Sequence, residues 1–181
     1  MCGNLLLAEW CTWVRRSGTQ QHPEVRSSLA RLLDWEDAHA GFDKVVGGIS
    51  PDLRGKVPPG LPYSAWQLLE HLRIAQEDIL QFCINPEYRE RSWPDDYWPK
   101  AAVPPSPEAW DKSVAAFRRD REELKRLALN TEIDLTAKVP AGTDQTYLRE
   151  LLLVADHTAY HLGELVVVRR ALGAWPSRPN Q

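Results

Sequence analysis

The stretch that decides the fold is residues 146–172, TYLRELLLVADHTAYHLGELVVVRRAL, a long and largely apolar segment that contains no proline. Its last turn carries Arg169 and Arg170, whose charges favour the negative end of a helix dipole. Gly173 suits a C-terminal cap, and Pro176 follows where the helix can no longer continue. The pattern predicts one long helix across this stretch.

The 14 prolines of the chain indicate where other helices begin and end. Three further segments contain no proline, namely 24–47, 64–82 and 108–129, and each carries apolar residues at helical spacing. Because proline removes a backbone donor and clashes inside a helix, this partition predicts four helices. The connections 48–63 and 83–105 are long and rich in proline, and the second is also rich in tryptophan. We therefore expect an all-α fold, a four-helix bundle with long connections.

Local signals predict the helix boundaries. Ser64 and Gln67 form a capping-box pattern at the start of the second helix. Ser106 followed by Pro107 predicts the start of the third helix. Residues 133–139 carry only a weak signal for a short extended segment. In the first helix an apolar stripe at steps of three and four runs through Leu32, Trp35, His39, Phe42 and Val46.

Length and composition limit the classes of function. The chain has 181 residues, which suggests one domain, and we assign residues 23–181 to the bundle and 1–22 to an N-terminal appendage. The net charge of −3 provides no basic field for nucleic acid. Three cysteines at irregular spacing argue against a disulfide framework and a cysteine-based zinc motif.

The sequence predicts a cytoplasmic protein without a membrane span. No run of apolar residues reaches the length that a span requires. Residues 4–14 are partly apolar, but they contain Glu9 and are followed by Arg15 and Arg16. That charge order is the reverse of a secretory signal.

The long C-terminal stretch contains two histidines at helical spacing. His157 and His161 lie at positions i and i+4 of the predicted helix. Residues so spaced share a face, with their Cβ atoms about 5–6 Å apart, close enough to bind one metal ion. Leu153 and Leu165 flank the pair on the same face, so we expect both imidazoles to point toward the core.

A third histidine, His71, lies between Leu68 and Leu72 on the apolar stripe of the second helix. A lone histidine there is more often a hydrogen-bonded core residue, and a lone H-x-x-x-H pair is a weak signal. Burying three unpaired imidazoles, however, costs desolvation at each one, whereas one metal ion satisfies all three. Our interpretation is a metal site formed by His71, His157 and His161.

The ligand types favour a catalytic site over a structural one. Three neutral imidazoles leave a divalent ion at least one open position for water or substrate, whereas structural zinc sites are closed and cysteine-rich. Position 158 is Thr, so the helix is not the H-E-x-x-H helix of metalloproteases. A di-iron carboxylate site needs Glu-x-x-His motifs, but Glu70 directly precedes His71.

Three other side chains are secondary candidates. His39 is a candidate proton shuttle, a candidate fourth ligand, or a candidate for a side chain that contacts a ligand and not the metal. The alternative is a plain core histidine. Glu164 and Asp156 are candidates to hold a ligand imidazole through its second nitrogen, as metal-bound histidines normally require. The alternative for both is a solvated carboxylate, which we prefer for Asp156. Cys83 is interpreted as a small packing residue.

Several segments together resemble the DinB-like (DinB/YfiT-like) superfamily. They are SAWQLLEHL at 64–72, the Trp- and Pro-rich loop at 93–99, and HTAYHLGE at 157–164. The similarity runs from about residue 26 to residue 175 and leaves the N-terminal segment outside it.

The resemblance implies a four-helix bundle that holds a divalent transition metal, zinc or nickel, at His71, His157 and His161. It also implies a homodimer, and characterised relatives include transferases and isomerases that use a low-molecular-weight thiol. We therefore expect a metal-dependent enzyme that acts on a small molecule, with thiol-dependent S-transfer as its reaction. The alternatives are a metal-dependent hydrolase and a noncatalytic module that binds a metal or a small ligand.

Overall fold

The structure, a computed structural model, describes residues 23–176 of the chain, and the predicted N-terminal appendage lies outside them. In the described part the fold is all-α, as predicted, with no strand and one isolated bridge, between Lys138 and Thr146, near the weak extended pattern. The helices are α1 (Pro23–Leu32), α2 (Phe42–Val46), α3 (Pro51–Arg54), α4 (Ala65–Ile84), α5 (Ala109–Leu129) and α6 (Tyr147–Ala171).

The starts of α4 and α6 follow the local signals in the sequence. The capping box of α4 is complete, because the backbone N–H of Gln67 donates to Ser64 Oγ at 3.2 Å and the backbone N–H of Ser64 donates to Gln67 Oε1 at 3.1 Å. At α6, Thr146 Oγ1 accepts from the backbone N–H of Arg149 at 3.3 Å. Gly173 follows the end of α6 with a φ of 68°, a conformation that glycine adopts without strain.

The first predicted helix is not continuous, and the prediction of one helix over 24–47 is wrong. The chain leaves α1 after Leu32 and re-enters a helix only at Phe42. The intervening segment contains aspartates that favour turns, and Asp34 also pairs with Arg121 of α5 at 2.9 Å. Trp35 is consequently 39 % exposed and does not continue a buried stripe.

The third predicted helix begins later than its sequence signal indicates. Helix α5 starts at Ala109, with Glu108 in the N-cap position and no side-chain cap bond. Ser106 contributes its backbone carbonyl, which accepts from the N–H of Ala109 at 3.1 Å. The prediction that the helix starts with Ser106 as its cap and Pro107 as its first residue is therefore wrong, because one additional turn precedes the helix.

Helix α4 is central to the packing, since it contacts both α5 and α6, while α1 packs mainly against α5. The core consists of two groups of apolar side chains. The first includes Leu69, Phe117 and Leu165, and the second includes Leu124 and Leu151. Helices α4 and α6 contribute to both groups, and the residues midway along them lie between the two.

Arg169 anchors the short helix α2 against α6. Its side chain is buried, and its Nη1 donates to the carbonyl oxygens of Lys44 at 3.1 Å and Val45 at 2.6 Å. Its Nη2 donates to the carbonyl oxygen of Ala174 at 2.8 Å. One guanidinium thus binds two carbonyl groups of α2 and one just beyond the end of α6, which fixes α2 near the C-terminal end of α6.

One helix in the described part, α6, is long and apolar enough to cross a membrane by length and composition. The core helix of a soluble protein passes the same test. Leu151 and Leu165 of α6 are buried in the two core groups described above. The composition of α6 is therefore weak evidence for a membrane span.

Candidate metal centre

Three imidazoles meet midway between α4 and α6. Helix α4 contributes His71, and helix α6 contributes His157 and His161 one turn apart. His71 Nε2 lies 3.1 Å from His157 Nε2 and 3.1 Å from His161 Nε2. One nitrogen from each of the three rings lies within 4.8 Å of the others. The structure therefore brings together the three histidines that the sequence selected.

Hydrogen bonds at the opposite ring nitrogens decide which tautomers are present. His71 Nδ1 is 2.9 Å from the carbonyl oxygen of Tyr97, so it carries the proton and donates. His161 Nδ1 is 2.7 Å from Glu164 Oε2 and donates to that carboxylate. In a neutral imidazole the other nitrogen then has an unprotonated lone pair. The Nε2 atoms of His71 and His161 are therefore two acceptors that face each other without a proton between them.

Burial favours the neutral form of all three rings. Desolvation lowers the pKa of His71 below its usual value, and it lowers the pKa of His161 to about 4 with a smaller contribution from His71. The pKa of His157 falls to about 3, first through desolvation and then through repulsion from the two neighbouring imidazoles. Neutral imidazole is the form that ligates a metal ion.

This donor set fits a divalent transition metal. Two neighbouring nitrogens that each lie about 2.0–2.1 Å from one ion are separated by about 2.8–3.4 Å, from the octahedral angle at the low end to the tetrahedral angle at the high end. The 3.1 Å separations from His71 lie within that range. A cation between the rings would also relieve the two facing lone pairs of His71 and His161. Imidazole nitrogens suit zinc, nickel, iron and copper alike, so the donor set leaves the identity of the metal open.

The connection between α4 and α5 covers one side of the three imidazoles. The ring of Trp98 stacks on His71, with centroids 3.8 Å apart and planes at 4°, and Tyr63 stacks on the far side of Trp98 with centroids 4.0 Å apart. The tryptophans near helix starts and in this connection have different environments. Trp98 packs against the site, whereas Trp66 and Trp110 are buried in the core.

Tyr97 attaches this connection to α4 at two points. Its carbonyl oxygen accepts from His71, and its hydroxyl donates to Asp78 Oδ2 at 2.6 Å, two helical turns further along α4. Asp78 is buried and also accepts from the hydroxyl of Tyr88 at 3.1 Å. Sequence reasoning missed Tyr97 and Asp78. The signal that was available is the spacing of seven residues between His71 and Asp78, which puts both on one face of α4.

A cavity of about 620 Å³ opens beside the site. His71 and His157 form part of its wall, so a molecule in the cavity would reach the three imidazoles. Its other lining residues include aromatic and charged side chains, among them Trp93, Tyr97 and Glu150. A small-molecule site typically combines such a concave apolar wall with a few polar groups.

The secondary candidates have different outcomes. Glu164 does hold one of the three imidazoles, that of His161, through its Nδ1. No hydrogen bond joins Asp156 to His157 in the described residues, and Asp156 is exposed, which agrees with the solvated carboxylate that we preferred. His39 is exposed, lies outside the group of three imidazoles and lines a different cavity. Cys83 is buried in the core, as its interpretation as a packing residue requires.

The comparisons with known proteins give one match. A family model that describes the DinB superfamily matches residues 34–165, which contain all three histidines. No curated protein and no solved structure matches the chain.

Proposed function

Since the chain belongs to the DinB superfamily, we propose that it is a metal-dependent enzyme in which His71, His157 and His161 bind one divalent transition metal ion, zinc or nickel. The observation that carries the proposal is the 3.1 Å approach of the Nε2 atoms of His71 and His161, while the Nδ1 atom of each ring is bonded to an acceptor. Two facing lone pairs in a largely buried site cost free energy, and a cation between them would relieve that cost.

The side chains around the site orient the ligands. The Tyr97 carbonyl and the Glu164 carboxylate hold the Nδ1 protons of two imidazoles, so both Nε2 lone pairs point to the same place. Trp98 covers the ring of His71 and excludes water from that side. When bound, a divalent ion with three imidazole ligands would supply Lewis-acid activation of a thiol or of water at an open position.

The substrate in this proposal is a small molecule that enters the cavity beside His71 and His157. Resemblance to thiol-using relatives supports S-transfer from a low-molecular-weight thiol as the reaction. Hydrolysis is the alternative enzyme reaction, because the same open position suits water. A panel of thiol cosubstrates and ester or amide substrates, each assayed with metal-loaded protein, distinguishes the two.

Metal analysis of the purified protein without a histidine tag tests the metal site. We expect about one equivalent of a transition metal per chain, and a loss of most of it in His71→Ala, His157→Ala and His161→Ala. His39→Ala is the matched control, because that imidazole is exposed and lies away from the three rings. Less than about 0.2 equivalents of any transition metal, with no binding on reconstitution, would contradict the proposal.

A noncatalytic metal-binding module is a second candidate, because the three imidazoles join α4 to α6 and a bound ion would also cross-link these helices. The two candidates differ in turnover. If loaded wild-type protein turns over no member of the substrate panel while its fold depends on the metal, the binding module is favoured.

The remaining partner predictions also belong to this proposal. We expect a cytoplasmic homodimer that binds neither nucleic acid nor membrane. Sedimentation equilibrium measures the oligomeric state. Titration with duplex DNA at low salt tests nucleic-acid binding, and the net charge of −3 on the protein predicts no binding.

A further inference from the structure

We propose that the cavity beside the three histidines selects substrates that carry a protonated amine, and that Glu150 binds this amine at the end of the cavity away from the metal site. The inference rests on the proposed function, because it takes the three imidazoles as the point where the reacting group of the substrate is held.

Glu150 and His157 lie on one face of α6. They are seven residues apart, with Leu153 between them, and all three residues line the cavity. Seven residues correspond to about 10 Å along a helix, since each residue adds about 1.5 Å. A molecule that places one group at the imidazoles can therefore reach Glu150 with a second group at its other end.

The carboxyl group of Glu150 is in an environment that favours a cationic ligand. The residue is only 1 % exposed although it lies at the wall of the cavity. Arg149 Nη1 donates to Oε1 at 2.6 Å, and in the described residues no hydrogen bond is made to Oε2. Oε2 therefore has no protein donor at the wall of the cavity, and an ammonium group in the cavity would supply one through a charge-assisted hydrogen bond.

The other charged groups of the wall do not reverse this preference. Three carboxylates, those of Asp78, Glu90 and Glu150, line the cavity with a single guanidinium, that of Arg149. Asp78 is already bonded to the hydroxyls of two tyrosines. The side chain of Arg149 is 57 % exposed and is paired with Glu150, so an anionic substrate would have to compete with that pair. Glu90 is exposed to solvent. Among the described residues of the wall, Glu150 is therefore the buried carboxylate with an oxygen that is available to a ligand from within the cavity.

Three thiols of equal length test the proposal: 6-aminohexane-1-thiol, 6-mercaptohexan-1-ol and 6-mercaptohexanoic acid. Each is titrated into cobalt-loaded full-length protein, and the change in visible absorption gives its dissociation constant. We expect the amine to bind at least about tenfold more tightly than the carboxylic acid, with the alcohol between them, as a charge-assisted bond to a desolvated carboxylate predicts.

Two variants of the site change the selectivity in opposite directions. Glu150→Gln keeps the shape of the side chain but removes its charge. It should reduce the ratio of the affinity for the amine to the affinity for the acid (the amine-to-acid ratio) to about that of an uncharged wall. Arg149→Gln removes the competing cation, and it should raise the ratio above that of the wild type. Glu87→Gln is the matched control, because it removes the same charge from an exposed residue outside the cavity, and it should leave the ratio unchanged.

The outcomes separate this inference from the proposed function. Equal affinities for the amine and the acid, or tighter binding of the acid, would overturn the inference and leave the metal site intact. The inference is also overturned if Glu150→Gln binds metal and melts like the wild type and still shows the wild-type amine-to-acid ratio. If Glu150→Gln fails to fold, a ratio in Arg149→Gln that does not rise overturns the inference. Absence of bound cobalt would overturn both proposals.

Discussion

Glu164 shows how one carboxylate can tune the candidate site without binding the metal. It accepts the Nδ1 proton of His161 at 2.7 Å and so fixes the ring orientation and the tautomer. Burial raises the pKa of Glu164, with an opposing contribution from a hydrogen bond to Tyr160. The carboxylate form is the one that strengthens the donor nitrogen of His161.

Glu164→Gln should therefore weaken metal binding about 10-fold or more, because a neutral amide polarises the imidazole less than a carboxylate does. Competition with a chromophoric chelator measures the affinity. Glu132→Gln, at an exposed position away from the site, serves as the control. An affinity for Glu164→Gln within twofold of the wild type would argue that Glu164 does not act through His161.

Cys83 provides a test of the core, independent of the metal. Its side chain is fully buried, and desolvation raises its pKa to about 12, with a further contribution from Glu150. Since the thiolate is the reactive form, Cys83 should not react with a disulfide reagent between pH 7 and pH 9 until the protein unfolds. The measurement uses a variant with Cys2 and Cys11 changed to Ser. Rapid labelling under native conditions at pH 8 would show that this part of the core is open.

Two serines carry the same N-cap signal in the sequence, but only one of them caps a helix in the structure. Ser64 Oγ accepts from the backbone of Gln67 and also donates to the carbonyl oxygen of Ala102 at 2.6 Å. Ser106, which carries the same kind of sequence signal, has no such capping bond to α5.

Ser64→Ala should therefore lower the free energy of unfolding by about 1–2 kcal/mol, because it removes a cap and a tether to the connection between α4 and α5. Ser106→Ala should change it by less than about 0.5 kcal/mol. Urea denaturation followed by circular dichroism gives both values. Equal losses for the two variants would mean that the Ser64 bonds contribute nothing specific.

The three imidazoles lie between the two groups of core side chains and connect α4 with α6, so ligation should stabilise the whole domain. An ion that binds the folded chain and not the unfolded chain at 100 times its dissociation constant adds about 2.7 kcal/mol. For a chain of 181 residues this corresponds to a rise of about 5–10 °C in melting temperature.

Calorimetry of the protein with and without zinc or nickel measures this shift, and a chelator should reverse it. The double variant His157→Ala, His161→Ala should show no shift, because only His71 remains of the three ligands. A similar shift in the double variant would place the stabilising ion somewhere else on the molecule.

The features that the sequence predicted correctly depend on short-range spacing. The i, i+4 interval of His157 and His161, the apolar stripe that carries His71 and the cap at Ser64 are all readable within a few residues. The predicted first helix is interrupted where aspartates favour turns and where Asp34 pairs with Arg121, and the second of these contacts joins residues far apart in the chain.

The sequence determined the all-α fold and the three histidines, because helical periodicity and ligand type are local properties of a chain. Only the tertiary structure decided which nitrogens face one another. The group that orients His71 is the backbone carbonyl of Tyr97, and because every residue has such a carbonyl, the sequence does not indicate which one binds the imidazole. The tertiary structure also decided that Glu150 lies at the wall of the cavity and that His39 does not join the site. Such placements depend on how α4, α6 and their connections pack, and packing is set by contacts between segments that are distant in sequence.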